Sequence, residues 1–199
     1  MRKKIVFLSL LLVVPMAAVA QMVTCETNYD GPGKMVPGSP SPIFELNKPF
    51  EHPIALPNDV LAVLRADPSI ARKFEANCSR ENLSQMPPEW FLATEIKWAD
   101  DKLPGLIVKP ANTCLWNKDG EKEVADFWIF QQVPAGYQPA FTFRTQALQV
   151  LNTRTNGHPD VCTILRHDPF TFSQTVYTFQ QGRYQPRIDR GVNVDPPPR

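Results

Sequence analysis

LQVLNTRTNGHPDVCTIL, residues 148–165, decides the fold of this chain. Short apolar and β-branched runs, LQVLN and DVCTIL, flank Asn156-Gly157. Both central residues tolerate positive φ, so the pair is a strong signal for a two-residue hairpin turn. The stretch predicts two antiparallel strands and a bend. The same texture extends outward in both directions. LATEIKW (92–98) places Leu92, Thr94, Ile96 and Trp98 on one side and Ala93, Glu95 and Lys97 on the other. LIVKP, FWIFQQ, AFTFRT, ALQVLN, VCTIL and VYTFQQ are equally short and rich in β-branched or aromatic residues. Parallel pairing would need helices between the strands, and the sequence has none there.

Upstream of these strands the period is helical. Asn58 is the expected cap of a short helix carrying Val60, Leu61 and Leu64. Asp67 followed by Pro68 is a second start signal, a capping side chain with proline at the first helical position. Ile70, Phe74 and Cys78 then share one face. The expected class is α+β, with short N-terminal helices packed on an antiparallel, hairpin-rich sheet.

The first twenty residues join a basic MRKK to an apolar run and end in small residues at Ala18 and Ala20, the pattern of a secretory signal peptide. Taking Arg2, Lys3 and Lys4 from 21 basic residues leaves 18 against 20 acidic ones. A near-neutral chain without a basic block offers no electrostatic reason to bind nucleic acid, and no second long apolar run suggests a transmembrane segment. The expected location is periplasmic or secreted.

Seven prolines and three glycines fall between Gly31 and Pro57. Proline lacks an amide donor and glycine is costly to order, so residues 21–56 read as an extended arm unable to form a ladder or helix. Ile43, Phe44, Leu46 and Phe50 could dock it on the domain. His52 belongs to this arm and is expected to be exposed. Residues 57–190 then form a single domain, and residues 191–199, ending in DPPPR, a flexible tail.

FQQVPAGYQP (130–139) returns as FQQGRYQP (179–186). Upstream, IKWADDKLPGLIV (96–108) aligns with VLNTRTNGHPDVCTI (150–164). Two related β units are therefore expected at about 91–143 and 146–188, each about 50 residues long, the size of a propeller blade. Ala99-Asp100-Asp101 to Leu106-Ile107-Val108, Gly136-Tyr137, Thr155-Asn156-Gly157 to Asp160-Val161, and Tyr177-Thr178-Phe179 to Gly182-Arg183-Tyr184 carry a further likeness. Their order resembles degenerate FG-GAP or VCBS-type repeats of secreted bacterial proteins. Intact repeats of that kind would imply calcium held by turn aspartates. Here Lys102, Arg154 and His158 interrupt the oxygen donors that calcium requires, so no metal or other cofactor is expected.

Four widely spaced cysteines, Cys25, Cys78, Cys114 and Cys162, form no zinc pattern and in an exported chain argue for disulfides. They allow three pairings. Position within the two units favours Cys114–Cys162, with Cys25 and Cys78 pairing together or staying reduced.

His158, Asp160, His167 and Asp168 are the candidate catalytic residues, as loop His/Asp pairs. No nucleophile accompanies them in sequence, and each pair is equally the composition of a turn. Most aromatics read as core. Trp116 stands apart in the polar loop CLWNKDGEKEVAD, and with Arg154 and Asn156 it forms the expected binding set. The function that follows is a non-enzymatic module binding a protein or envelope component through loops 111–126 and 153–160. The alternatives are a periplasmic hydrolase or enzyme inhibitor using the His/Asp loops, and a structural envelope protein.

Overall fold

The structure is a computed structural model that describes residues 25, 34–35, 41–78, 83–99, 103–119, 122–168 and 171–193. The expected signal peptide, most of the 21–40 stretch, the Asp100-Asp101 turn and most of the C-terminal tail lie outside them. Eight long strands run up and down. Four form the first sheet: β4 (Phe91–Ala99), β5 (Leu103–Pro110), β7 (Lys122–Val133) and β8 (Gly136–Thr145). The other four form the second: β9 (Ala147–Thr155), β10 (His158–Arg166), β11 (Thr171–Gln180) and β12 (Arg183–Asn193). All pairings are antiparallel. Gln146 alone separates β8 from β9, and there the chain passes from one sheet to the other. A three-residue strand, β6 (Asn117–Asp119), folds back on the start of β7.

The expected turn is present. Asn156 (φ 52°) and Gly157 (φ 80°) join β9 to β10. Gln181 (φ 51°) and Gly182 (φ 78°) join β11 to β12 in the same left-handed conformation. A register shift between Pro159 and Val161 marks a bulge where proline cannot donate to the ladder.

Three layers result. Helices α1 (Asn58–Ala66) and α2 (Pro68–Asn77) cover one face of the first sheet, where Val60, Leu64 and Ile70 meet Leu106, Val108, Trp128 and Phe130. Its other face packs on the second sheet through Ile107, Phe127, Ile129, Phe143, Leu148 and Val161. The far face of the second sheet carries Leu151, Ile164 and Val176 with Cys25 and Cys162. FWIFQQ in β7 is buried on both faces because it belongs to the middle layer.

Asp67 caps α2 as expected, its Oδ1 accepting from Ser69 N at 2.7 Å and Ile70 N at 3.4 Å. Burial would raise its carboxyl pKa, but the Ser69 and Ile70 donors and nearby Lys73 hold it below the usual carboxylate range. Asn58 does not cap α1. Pro57 precedes the first turn, Asn58 is already helical, and Asp59 Oδ1 accepts from Val60 N at 2.9 Å. Asp59 Oδ2 accepts from Tyr137 N at 2.8 Å, fixing α1 against the β7–β8 hairpin. The backbone at Gly136 (φ +117°) favours glycine, and a Cβ there, 2.6 Å from that oxygen, would displace the Asp59 carboxylate from Tyr137 N.

The arm is not excluded from the ladders. β2 (Ile43–Glu45) pairs with β9, and β3 (Pro53–Ile54) pairs with β4. Lys34–Met35, β1, also pairs with β9. An edge strand uses only one side of its backbone, and Pro53 stands first in its strand, so proline is tolerated. Leu46 and Phe50, between β2 and β3, are buried in the inter-sheet core. Thr94 Oγ1 donates to the carbonyl of His52, whose side chain is exposed.

Lys109 of β5 anchors this crossing and is 1 % exposed. Its ammonium donates to the carbonyls of Glu45, Leu46 and Lys48 and lies 4.7 Å from the centre of the Phe50 ring. Burial pushes its pKa down to about 8 from an ordinary 10.5, with the Glu45 charge opposing. The folded state therefore holds this proton less tightly than the unfolded chain. Stability should rise between about pH 8 and 10.5 and stay level, in this respect, below 8. Urea midpoints measured at pH 7.5, 8.5 and 9.5 check the slope. A Lys109→Met variant should lack it, and an unchanged slope in that variant would assign it elsewhere.

The four cysteines form two disulfides, Cys25–Cys162 and Cys78–Cys114. The expected Cys114–Cys162 pairing is wrong for a geometric reason. Cys114 packs beside Cys78 against the helix-facing core, whereas Cys162 faces away from the first sheet. Both sheets stand between them. Cys78–Cys114 ties the end of α2 to the short turn at Thr113–Leu115.

The two similar sequence stretches occupy corresponding hairpins, β4–β5 with β9–β10 and β7–β8 with β11–β12. Their side chains do not keep corresponding faces. Ile96 and Val150 both enter the inter-sheet core, yet Phe130 faces the helices while Tyr184, at the position of Tyr137, faces the other sheet. Strand order agrees and facing does not, so a duplication is not demonstrated.

Candidate functional site

The β9–β10 and β11–β12 turns lie side by side and are knitted together. Asn156 Nδ2 donates to the carbonyl of Phe179 at 2.8 Å. Arg154 Nη1 donates to the carbonyl of Gly157 at 3.2 Å, inside the turn. His158 Nδ1 lies 3.1 Å from the carbonyl of Asn156. A carbonyl only accepts, so Nδ1 is the donor in this contact.

Beneath the turns is an aromatic cluster. The His158 ring stacks on Phe179 with centroids 3.8 Å apart. Phe179 meets Phe141 and Tyr184 edge-on at 5.9 and 5.5 Å, and Phe141 meets Tyr184 at 4.3 Å. Tyr184 OH donates to the carbonyl of Pro159 at 2.6 Å. Burial, and then the Asp160 charge, hold this hydroxyl far above the ordinary tyrosine range despite Arg154, so it stays protonated. The cluster continues the inter-sheet core, but His158, Phe141, Phe179 and Tyr184 are only half-buried. Asn156, Gln181, Gly182 and Arg183 are exposed around them. A rigid aromatic platform with a polar rim is the composition of a binding surface.

The expected catalytic residues do not meet. His158 opens β10 and His167 follows its last residue, a separation of about 30 Å for nine strand residues. Asp160 is fully buried beside Tyr184, and Asp168 Oδ1 accepts from Thr171 N at 2.8 Å to brace a turn. The four residues therefore do not form one cluster.

His167 has neighbours that its sequence position did not suggest. Its Nε2 is 2.5 Å from Ser173 Oγ and its Nδ1 is 2.6 Å from Lys122 Nζ. The first contact has the outline of an activated serine, but the second reverses the polarity. An ammonium only donates, so Nδ1 must accept and Nε2 must carry the hydrogen. The ring then donates to Ser173 and cannot take its proton, the opposite of a general base held by a carboxylate.

Trp116 is half-buried, packs against the inter-sheet core and donates through Nε1 to the carbonyl of Pro110 at 3.4 Å. It closes an end of the sandwich instead of projecting from its loop. Loops 111–126 and 153–160 do not share one face. Asn117–Asp119 pairs with the start of β7, and the neighbouring end of β8 bonds to the far end of β10 through Thr145 Oγ1 and the Ile164 carbonyl at 2.9 Å. Arg154 and Asn156 therefore stand a strand length away from Trp116.

Among the described residues, no group of three His, Cys, Asp or Glu side chains is arranged to hold a metal ion. No described helix is long and apolar enough to cross a membrane. Comparison with protein-family models, curated proteins and solved structures found no match. The likeness to FG-GAP or VCBS-type repeats rests on the quoted motifs alone.

Proposed function

We propose that this protein is an exported, non-enzymatic binding module that holds a protein partner on the paired hairpin tips around Asn156 and Gln181. The observation carrying this reading is the half-exposed His158–Phe179–Tyr184–Phe141 cluster, held rigid by hydrogen bonds on both sides. Preformed aromatic surface costs little entropy on binding, and aromatics and arginine supply most hot spots. Two disulfides agree with an oxidising compartment, whether periplasmic or secreted. The repeats that the motifs resemble are interaction scaffolds, which agrees with this role.

The test is capture of envelope proteins on the immobilised oxidised protein, with three variants run in parallel. Arg154→Ala and Phe179→Ala should each weaken retention of one stoichiometric partner by about tenfold or more, about 1.4 kcal/mol. Trp116→Ala, at the other end, should retain it if folded. Loss in the Trp116 variant with retention in the other two would place the contact elsewhere and end this reading.

A further inference from the structure

A second site lies away from the tips. A cleft of about 330 Å3 is lined by Asn117, Lys118, Val124, Arg144 and Leu165, contributed by β6, β7, β8 and β10. Three of these residues carry donors short of an acceptor. Asn117 Nδ2 is buried with no hydrogen-bond partner. Lys118 is exposed and makes no ion pair among the described residues, although Glu123 stands opposite it across the β6–β7 ladder. Arg144 spends Nε on Asp126 Oδ1 at 3.0 Å, which orients the guanidinium and leaves its two terminal nitrogens uncommitted. Asp126 is itself occupied by both Arg144 and Lys73. The remaining walls, Val124 and Leu165, are apolar.

We infer that this cleft binds a small organic anion through a carboxylate, with the hydrocarbon part of the ligand against Val124 and Leu165. Two terminal guanidinium nitrogens form a planar fork that matches a carboxylate's two oxygens, and Lys118 adds charge. Asn117 supplies a neutral donor whose burial without a partner is costly. The volume sits at the lower end of small-molecule clefts and is too small for a folded partner. This site is independent of the tip surface, and either can fail without the other.

Titration of the oxidised, isotope-labelled protein with sodium hexanoate tests the inference, with sodium phosphate as the second arm and ionic strength held constant. Hexanoate should give saturable amide shifts confined to residues around Asn117, Lys118, Val124, Arg144 and Leu165. Lys118→Gln and Asn117→Ala should each weaken binding by about tenfold, the loss of one charge-assisted or buried hydrogen bond. Neither residue belongs to the packed core, so the spectrum outside the cleft reports intact folding. Shifts that stay linear to about 50 mM hexanoate would overturn the proposal, since that concentration exceeds a millimolar Kd many times over. So would undiminished affinity in both variants, or saturable phosphate binding tighter than hexanoate.

Discussion

Replacing Asp126 with alanine should lower stability by about 3–5 kcal/mol, the cost of removing one partner from a buried charge network. Asp126 is 4 % exposed on the helix-facing side of β7. Its carboxylate accepts from Lys73 of α2 and from Arg144, its cross-strand neighbour on β8. The two partners are unequal. The Arg144 side chain is 59 % exposed and can turn to water, whereas Lys73 is 14 % exposed and would be left with its ammonium against the sheet. Most of the loss should therefore come through Lys73. A Lys73→Met/Asp126→Leu double variant separates the two contributions. It removes the stranded charge, and exchanging a buried pair for apolar groups is often neutral or better. Urea unfolding of the single and double variants measures both. Equal destabilisation in the two would show that Asp126 acts by shape and not by charge.

Loss of either disulfide is the second large effect expected. In the chain-entropy account, a cross-link stabilises by restricting the unfolded chain, and the benefit grows slowly with loop length. Cys78–Cys114 spans 36 residues and Cys25–Cys162 spans 137. The corresponding losses are about 4 and about 5 kcal/mol, a difference of about 1 kcal/mol set by the logarithm of the length ratio. Alanine pairs at each bridge, measured by denaturant unfolding, test both sizes and their order. Either loss below about 1 kcal/mol would mean that the reduced, unfolded chain already keeps those cysteines together.

Features legible in the sequence were local ones. Asn156-Gly157 and Asp67-Pro68 announce a turn and a helix start because each rule involves only a few neighbouring residues. The arm was misread because proline content reports what a segment cannot do alone, and not what an existing sheet edge can do for it. Ile43–Glu45 and Pro53–Ile54 need only one side of their backbones, which β9 and β4 supply. Lys109 gave no signal, since a lysine in an apolar strand reveals nothing about carbonyls contributed by residues 61 to 64 positions earlier.

The disulfide and site errors share one cause, the geometry of an up-and-down meander. Neighbouring strand residues face opposite sides, so Val161 enters the inter-sheet core while Cys162 leaves it. Loops separated by an odd number of strands also stand at opposite ends. Three long strands, β7, β8 and β9, part Trp116 from Asn156, the short β6 only folding back on the start of β7, and one parts His158 from His167. Counting strands would have divided the candidate residues correctly. Ser173 is the hairpin neighbour of His167 across the β10–β11 turn, but Lys122 was beyond such counting, because it comes from the other sheet.

The most direct measurement is photo-cross-linking in the protein's own compartment, with a photoreactive phenylalanine analogue placed at Gln181 or at Thr113. Both positions are exposed, one on the hairpin tips and the other beside Trp116 at the far end. A single discrete adduct from Gln181, absent from Thr113, is the expected result. An adduct from Thr113 with none from Gln181 would contradict it.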